Sequence, residues 1–267
     1  MAERIVIDRQ DHIAYVTLNR PDKHNAVDRA MFDAFIDVGR ELSSDRALRA
    51  VVLSGRGDNF CAGIDIAVFQ DESGAAAGEA NMKPLPGSLA NYYQNAAWVW
   101  RSLPVPVIAA LRGYVFGAGL QTALGADVRY AEPNARLSIM EIKWGLVPDM
   151  GITATLPGLM PIDRALELTW SGRIVEAREA CELGLVTALR DDAKAAATAL
   201  AESIAAKSPD AVRAVKRLYY ESWRETAAKG LRLEADLQAR VMSLPNVREA
   251  AHANFEKRKP EFGDAQI

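Results

Sequence analysis

Glu141 is the residue whose surroundings most favour proton transfer. It lies in the apolar segment Ile139-Met140-Glu141-Ile142-Lys143-Trp144, and burial among such neighbours raises the pKa of a carboxyl group toward neutrality. A carboxyl group with a pKa near the working pH is suited to take up and return a proton. The alternative is an ordinary ion pair with Arg136 or Lys143.

Two loops built from small residues could hold the negative charge that such a proton transfer creates. They are Phe60-Cys61-Ala62-Gly63-Ile64-Asp65 and Phe116-Gly117-Ala118-Gly119. Each follows a predicted strand and opens a predicted helix, so free backbone N–H groups point outward from the turn. Two such turns facing each other would donate two hydrogen bonds to one oxygen, which is an oxyanion hole. The alternative is that the glycines only let a buried helix pack closely against a sheet.

Residues 104–130 must position the second of these loops. Apolar residues 107–111 predict a buried strand, residues 113–119 a turn, residues 120–126 a short helix, and Val128 the start of another strand. The glycine-rich turn lets the backbone come close to a ligand. The rest of the chain is arranged around this unit.

Strands alternate with helices over the first two thirds of the chain. Residues 4–8 and 12–19 predict a hairpin, Asp28 caps a helix that runs to about Leu42, and 50–53 predict a short buried strand. Residues 66–70 predict a helical segment, 71–88 a mobile insertion and 89–102 a helix. From 193 onward the pattern predicts helices alone. We therefore expect an α/β core over residues 1–192 and a helical region over 193–267.

The composition is that of a globular protein and argues against several classes of function. Of the 267 residues 49% are hydrophobic, and the net charge of -3 gives no basis for nucleic-acid binding. No apolar run reaches the roughly 18 residues of a membrane span, and the N-terminus lacks a signal-peptide pattern. Two cysteines and three scattered histidines match no metal spacing. We expect a cytoplasmic protein that acts without a bound metal or cofactor.

Five segments, in the same order, resemble the crotonase (enoyl-CoA hydratase/isomerase) superfamily. They are Asn19-Arg20-Pro21-Asp22-Lys23-His24-Asn25-Ala26, the loop from Phe60 to Asp65, and residues 113–127, 139–153 and 255–262. The resemblance covers nearly the whole chain. It implies a crotonase-like spiral core of repeated ββα turns, a C-terminal helical region for trimerisation, and trimers that often pair into hexamers. It also implies acyl-CoA thioester substrates, with coenzyme A carried as part of the substrate.

The resemblance also assigns the parts of the site, residue by residue. The backbone N–H groups of Ile64 and Ala118 would hold the thioester oxygen, and two such donors stabilise an enolate by a few kcal/mol each. The residues that would contact coenzyme A are Lys23, His24, Ala26, Ala62 and Asp65, together with Phe255 and Lys257 reaching from a neighbouring subunit.

Apolar residues of the helical region support an oligomer. They exceed what a small helical tail could bury on itself, and they comprise Leu218, Tyr219, Trp223, Leu231, Leu233, Leu237, Val241 and Met242. We therefore expect a homotrimer or a hexamer built from two trimers.

The chain departs from the familiar hydratase pattern at Gln121. Hydratases use two glutamates, of which the first falls at Gln121 and the second at Glu141. An amide can orient water or substrate but cannot donate and take back a proton. Asp149 falls where dienoyl-CoA isomerases carry a catalytic aspartate, although the other acid of those isomerases also falls at Gln121. The pattern favours moving a double bond over adding water, and the alternative for Asp149 is a cap on a helix that starts near Gly151.

Other functions remain open from the sequence. A hydratase with a single glutamate, or an acyl-CoA-binding protein without activity, would also carry Gln121. A dinucleotide-binding fingerprint at Gly117-Ala118-Gly119 is disfavoured because Thr122 occupies the third glycine position. A nucleophilic hydrolase is disfavoured because Cys61 is the only nucleophile in the two loops, and its neighbours indicate packing.

Overall fold

The computed structural model describes residues 3–67 and 81–267. The strands in this part of the chain are β1 Ile5–Gln10, β2 Ile13–Leu18, β3 Ala50–Gly55, β4 Val107–Leu111, β5 Tyr114–Phe116, β6 Val128–Ala131, β7 Arg136–Ser138, β8 Val175–Glu176 and β9 Ala188–Leu189. The helices are α1 Arg29–Ser44, α2 Asn95–Ser102, α3 Ala118–Leu124, α4 Ile152–Thr155, α5 Ile162–Ser171, α6 Ala177–Glu182, α7 Ala193–Ala205, α8 Pro209–Ser222, α9 Ala227–Met242 and α10 Pro245–Glu256. Short 3₁₀ helices cover Pro21–Lys23 and Glu141–Trp144.

Two sheets organise the core. The larger has the strand order β1-β2-β3-β4-β6-β9, with β1 antiparallel to β2 and the other pairs parallel. The smaller has the order β5-β7-β8. The strand pairs β4–β5 and β6–β7 each supply one strand to each sheet, and α3 follows β5 directly. This arrangement confirms the predicted α/β fold with a spiral of repeated ββα turns.

The larger sheet is covered on both faces, because successive side chains of a strand point to opposite sides. Val16 and Leu53 belong to the main core, together with residues of α1 and α2. Val52 and Ile108 belong to a second cluster with four alanines of α7: Ala193, Ala197, Ala201 and Ala205. Alanine at every fourth position gives α7 a narrow flat face that lies close to the sheet. Helix α7 is thus part of the core packing, although it begins the helical region predicted from residue 193.

Several predicted elements agree with the structure and others are displaced. The hairpin, the helix capped by Asp28 and the strands at 50–53 and 107–111 are confirmed. The helix predicted over 89–102 starts at Asn95, since the Asn91 side chain accepts a hydrogen bond from Gln94 N (2.8 Å) and forms a turn there. Residues 113–119 are not only a turn, because β5 within them pairs with β7. Residues 68–80, which include most of the predicted segment 66–70 and insertion 71–88, lie outside the described residues.

The helical region buries part of its apolar surface within the chain. Leu237 and Val241, predicted to be surplus apolar surface, are buried against Ala214, and Leu218 and Leu233 pack on the same cluster. The prediction for Leu237 and Val241 is therefore wrong, because α9 packs along α8. Tyr219, Trp223, Leu231 and Met242 remain more than half exposed. Every helix of the described ranges is too short or too polar to cross a membrane.

Asp28 links the start of the first strand to the first helix, and its substitution tests the fold. Its carboxylate accepts a hydrogen bond from Met31 N (2.9 Å), which caps α1, and another from Arg4 Nη2 (2.7 Å). Partial burial opposes ionisation, but the hydrogen bonds from Arg4 and Met31 outweigh it and lower the pKa of Asp28.

Asp28→Ala should lower the free energy of unfolding by about 2 kcal/mol at neutral pH, because a cap and an ion pair are lost together. Asp28→Asn should cost less, since asparagine caps as well as aspartate. Because its pKa is lowered in the folded state, the Asp28 carboxylate stabilises the fold at pH values above its unfolded pKa of about 3.9. This stabilisation is lost as the pH falls through the folded pKa. Urea unfolding should therefore show the gap between wild type and Asp28→Asn closing in acid; a gap that widens there would contradict the assignment.

Candidate active site

The two small-residue loops lie side by side. Cys61 N donates to Tyr114 O (2.9 Å), and Phe116 N donates to Cys61 O (3.0 Å). A Cβ atom placed on Gly63 would lie 3.1 Å from Phe116 O and 4.0 Å from Ala118 N. The structure therefore brings together the two loops that the sequence marked as an oxyanion hole.

The N–H groups of Ile64 and Ala118 are available at this meeting point. Within the described part of the chain, neither group donates a hydrogen bond to another residue. Ala118 is the first residue of α3, and Gly117 before it has φ of 48°, in the left-handed region that favours glycine. A Cβ atom on Gly117 would lie 3.3 Å from Oε1 of Glu141. Gly117 thus shapes the turn and admits the Glu141 carboxyl group beside it.

Close packing explains other glycines of the same segment. A Cβ atom on Gly119 would lie 2.4 Å from Cys61 O, and one on Gly125 would lie 2.1 Å from Ala97 O. The packing alternative therefore holds for Gly119 and Gly125, whereas Gly117 is required by its conformation. Cys61 itself is fully buried, its Sγ lies 3.1 Å from Asn25 O, and burial raises its pKa to about 12. A thiol held protonated in this way packs the loop and is no nucleophile.

Glu141 begins the 3₁₀ helix Glu141–Trp144 and is partly buried. Its Oε1 accepts a hydrogen bond from Nε2 of Gln121 (2.7 Å), and its Oε2 is buried without a hydrogen-bond partner among the described residues. Burial raises the pKa of Glu141, and the charge of Asp149 raises it further. The alternative of an ion pair with Arg136 is wrong, because Arg136 pairs with Glu176 (3.4 Å).

Asp149 lies near enough to Glu141 for the two charges to interact. Burial of its carboxyl group raises the pKa of Asp149, although the residue as a whole is exposed. Helix α4 begins at Ile152 with Gly151 in the N-cap position and no side-chain cap. The alternative role of Asp149 as a helix cap is therefore wrong. Asp149 is instead a second carboxyl group with a raised pKa, and its charge acts on Glu141.

Gln121 is 1% exposed and connects the two segments that carry these carboxyl groups. Its Nε2 donates to Glu141, and its Oε1 accepts a hydrogen bond from Met150 N (2.8 Å). The sequence indicated only that a glutamate is missing at this position. The bridge went unrecognised because it joins three segments that are distant along the chain.

The loop proposed to contact coenzyme A runs alongside the first small-residue loop. Ala62 N donates to His24 O (2.9 Å), Val27 N to Gly63 O (2.8 Å) and Asp65 N to Val27 O (2.9 Å). Residues 23–27 and 62–65 therefore form one hydrogen-bonded strip, in which Asn25, Val27 and Gly63 are buried. This juxtaposition is the one that the resemblance implied.

The side chains of this strip differ in what they offer to a ligand. Lys23 and His24 are exposed, and Ala26 is half-buried with its N–H held by Lys23 O (2.9 Å). Asp65 is already engaged, because its carboxylate pairs with Nη1 of Arg20 (2.6 Å). We infer that Asp65 shapes the loop through Arg20, while the exposed cation of Lys23 faces solvent.

Asn25 is a site residue that the sequence analysis did not single out. It is fully buried with φ of 57°. Its Nδ2 donates to Arg56 O (2.9 Å) and Asn59 O (2.8 Å), and its Oδ1 accepts from Arg20 N (2.8 Å). Asparagine adopts the left-handed region more readily than most residues, and this was the available sequence signal.

Phe255 and Lys257 lie at the end of the last helix, α10. Phe255 is 86% exposed, and Lys257 ends the helix with φ of 55°. In the described ranges, no hydrogen bond, ion pair or ring contact joins either side chain to the two loops. A single chain thus leaves both residues on its surface.

Comparison with known proteins decides the family. A sequence profile described as enoyl-CoA hydratase/isomerase matches residues 8–265. The chain belongs to this family. The match spans the core, both loops and the helical region.

Individual relatives carry the names of both reactions in the family title. The mitochondrial Delta(3,5)-Delta(2,4)-dienoyl-CoA isomerase of Mus musculus is 33% identical over 259 residues, which cover 95% of this chain and 79% of the relative. The crystal structure of an enoyl-CoA hydratase from Bacillus anthracis superposes with a TM-score of 0.88 at 28% identity, covering 97% of this chain and 98% of that one. A Thermobifida fusca protein described as an enoyl-CoA hydratase, solved in complex with CoA, gives a TM-score of 0.81 at 31% identity, covering 90% and 93%.

Proposed function

We propose that the chain acts on enoyl-CoA thioesters and moves their double bond through an enolate intermediate. The observation that carries this proposal is the pair Glu141 and Asp149, two carboxyl groups with raised pKa values in segments that the Gln121 amide joins through its hydrogen bonds to Glu141 Oε1 and Met150 N. Isomerisation needs one group that removes a proton from carbon and another that returns a proton elsewhere. The pair meets that need.

The first step belongs to Glu141. Its carboxylate removes the α- or γ-proton of the enoyl thioester, and the C–H electron pair moves into the enolate. Negative charge then accumulates on the thioester oxygen, where the N–H groups of Ile64 and Ala118 would hold it. Two preorganised donors of this kind contribute a few kcal/mol each to the stability of the transition state.

The second step belongs to Asp149. In its protonated form it delivers a proton to a different carbon, and the electron pair of the enolate forms the new C–H bond. After one turnover Glu141 holds the proton and Asp149 has lost one. After the product leaves, Glu141 gives its proton to water and Asp149, which is exposed, takes one up from water, so that the starting state is restored.

Hydration is the second candidate, and the same residues support it less well. Adding water requires a group that orients and deprotonates the water, a task for which two glutamates are suited. Here Gln121 offers no titratable group, and its amide is already bonded to Glu141 and Met150 N. A hydratase working with Glu141 alone, or a binding protein without activity, would be the remaining explanations.

The binding of coenzyme A is proposed along the strip from Lys23 to Asp65. The exposed Lys23 would face the phosphates, and the backbone of Ala62 and Asp65 would line the path beside His24 and Ala26. We propose that coenzyme A enters only as part of the substrate. Phe255 and Lys257, both on the surface, would complete the strip of a neighbouring subunit.

A homotrimer or hexamer follows from that shared strip. The exposed apolar side chains of Tyr219, Trp223 and Leu231 support it, because patches of this kind are usually covered by a partner. A monomer found by light scattering at micromolar concentration would remove this part of the proposal.

The reaction is tested by product analysis. The protein is incubated with a 3-enoyl-CoA, a 3,5-dienoyl-CoA and a short 2-enoyl-CoA, and the products are followed by absorbance and mass spectrometry. We expect the double bond of a 3-enoyl or 3,5-dienoyl substrate to move with no change in mass. A gain of one water would instead establish the hydratase, and saturable binding without turnover by calorimetry would establish the binding protein.

A further inference from the structure

The amide of Gln121 has one possible orientation. Met150 N is a donor, so the group that faces it must be the carbonyl oxygen Oε1, at 2.8 Å. The NH₂ group then faces Oε1 of Glu141, at 2.7 Å. A flipped amide would place a donor against Met150 N and an oxygen against the carboxylate, losing both hydrogen bonds.

This orientation makes the two oxygens of Glu141 unequal. Oε1 accepts a hydrogen bond from the Gln121 NH₂ group. A proton on Oε1 would therefore face another donor. Oε2 is buried and has no hydrogen-bond partner in the described part of the chain. When Glu141 is protonated, the proton therefore lies on Oε2.

We propose that Gln121 is a positioning residue that holds Oε1 of Glu141 as an acceptor, so that the proton that Glu141 takes up is carried on Oε2. The proposal rests on the function proposed above. It also gives Gln121 a second effect, since the same side chain fixes the peptide N–H that directly follows Asp149. One amide thus fixes Glu141 relative to the segment that carries Asp149.

The charges around Glu141 set the direction of the expected pH effect. Burial and the charge of Asp149 raise the pKa of Glu141, whereas the hydrogen bond from Gln121 lowers it. Arg136 is paired with Glu176, and the exposed Lys143 makes no ion pair among the described residues. Removing the Gln121 hydrogen bond should therefore raise the pKa of Glu141 further.

The experiment compares Gln121→Met with Thr122→Val. Methionine nearly fills the volume of glutamine but donates no hydrogen bond. Thr122, the next residue of α3, is fully buried and its hydroxyl lacks a partner in the described residues. Thr122→Val therefore controls for a polar-to-apolar change in the same helix.

Two measurements are made on each protein. The first follows the Glu141 carboxyl group by NMR titration without substrate, using ¹³C-labelled glutamate and Glu141→Gln for assignment. The second is the pH profile of kcat and KM. For Gln121→Met we expect the pKa of Glu141 to rise by about one unit, because a hydrogen bond to a charged group is lost. We also expect kcat at neutral pH to fall about tenfold or more with KM little changed, and Thr122→Val to match wild type in both.

Unchanged titration and pH profile in Gln121→Met would overturn the proposal. If that variant does not fold, Gln121→Glu takes its place, since it keeps an acceptor for Met150 N. Gln121→Glu would put a carboxyl group against Oε1 of Glu141, and the two carboxyl groups should then titrate in two separated steps. A single titration step with an unshifted pKa would equally overturn the proposal. A wild-type protein with no turnover, but with the expected titration shift, would refute the proposed function and leave the positioning of Glu141 established.

Discussion

Replacing Glu141 with glutamine should lower kcat on an enoyl-CoA by roughly 10²-fold or more and leave acyl-CoA binding nearly unchanged. The glutamine carbonyl can still accept the hydrogen bond from Gln121, so the local structure is retained. Its NH₂ group would occupy the place of Oε2 and cannot take a proton from carbon. The oxyanion donors are backbone groups of Ile64 and Ala118, which the substitution does not alter.

The measurement is steady-state kinetics together with calorimetric binding of a non-reacting acyl-CoA. Glu176→Gln is the matched control, because Glu176 is an exposed glutamate paired with Arg136, and it should keep full activity. Wild-type turnover that Glu141→Gln does not reduce would remove Glu141 from the mechanism. A loss of binding as large as the loss of rate would indicate a structural role instead.

Asp149→Asn should lower kcat for isomerisation to a similar extent, about 10²-fold, without lowering stability. The fold should be unaffected because Gly151, and not Asp149, holds the N-cap position of α4. The substitution also removes a negative charge that raises the pKa of Glu141. The pKa of Glu141 should therefore fall, and the acidic limb of the kcat profile, which reports the deprotonated base, should move to lower pH.

Urea unfolding and the pH profile of kcat test these expectations together. If Asp149→Asn still adds water to the substrate, and if this activity depends on Glu141, the same site would belong to a hydratase with one glutamate. Full isomerase activity in Asp149→Asn would exclude Asp149 as the group that returns the proton. If Asp149→Asn lowers the free energy of unfolding but leaves the pH profile of kcat unchanged, Asp149 has a structural role.

The sequence by itself determined the elements whose signals are local. Alternating apolar residues identified the hairpin, continuous apolar runs identified the buried strands, and the Asp28 cap marked the start of α1, because each signal depends on neighbours a few residues away. The glycine-rich loops were identified for the same reason, and so were the motifs that place the chain in its family. The four alanines of α7 are visible as a stripe, but the stripe alone does not say which surface it covers.

The tertiary structure alone decided how the site residues are used. Gln121 reaches Glu141 across 20 positions of the chain and Met150 across 29, and no local pattern encodes contacts of that separation. The same holds for the pairing of Arg136 with Glu176, since Glu141 has no ion-pair partner among the residues that the structure describes. Whether a buried carboxyl group is neutralised or poised for proton transfer depends on which charges and donors surround it. Those neighbours are set by the hydrogen bonds that join α3 to the segments 141–144 and 149–152.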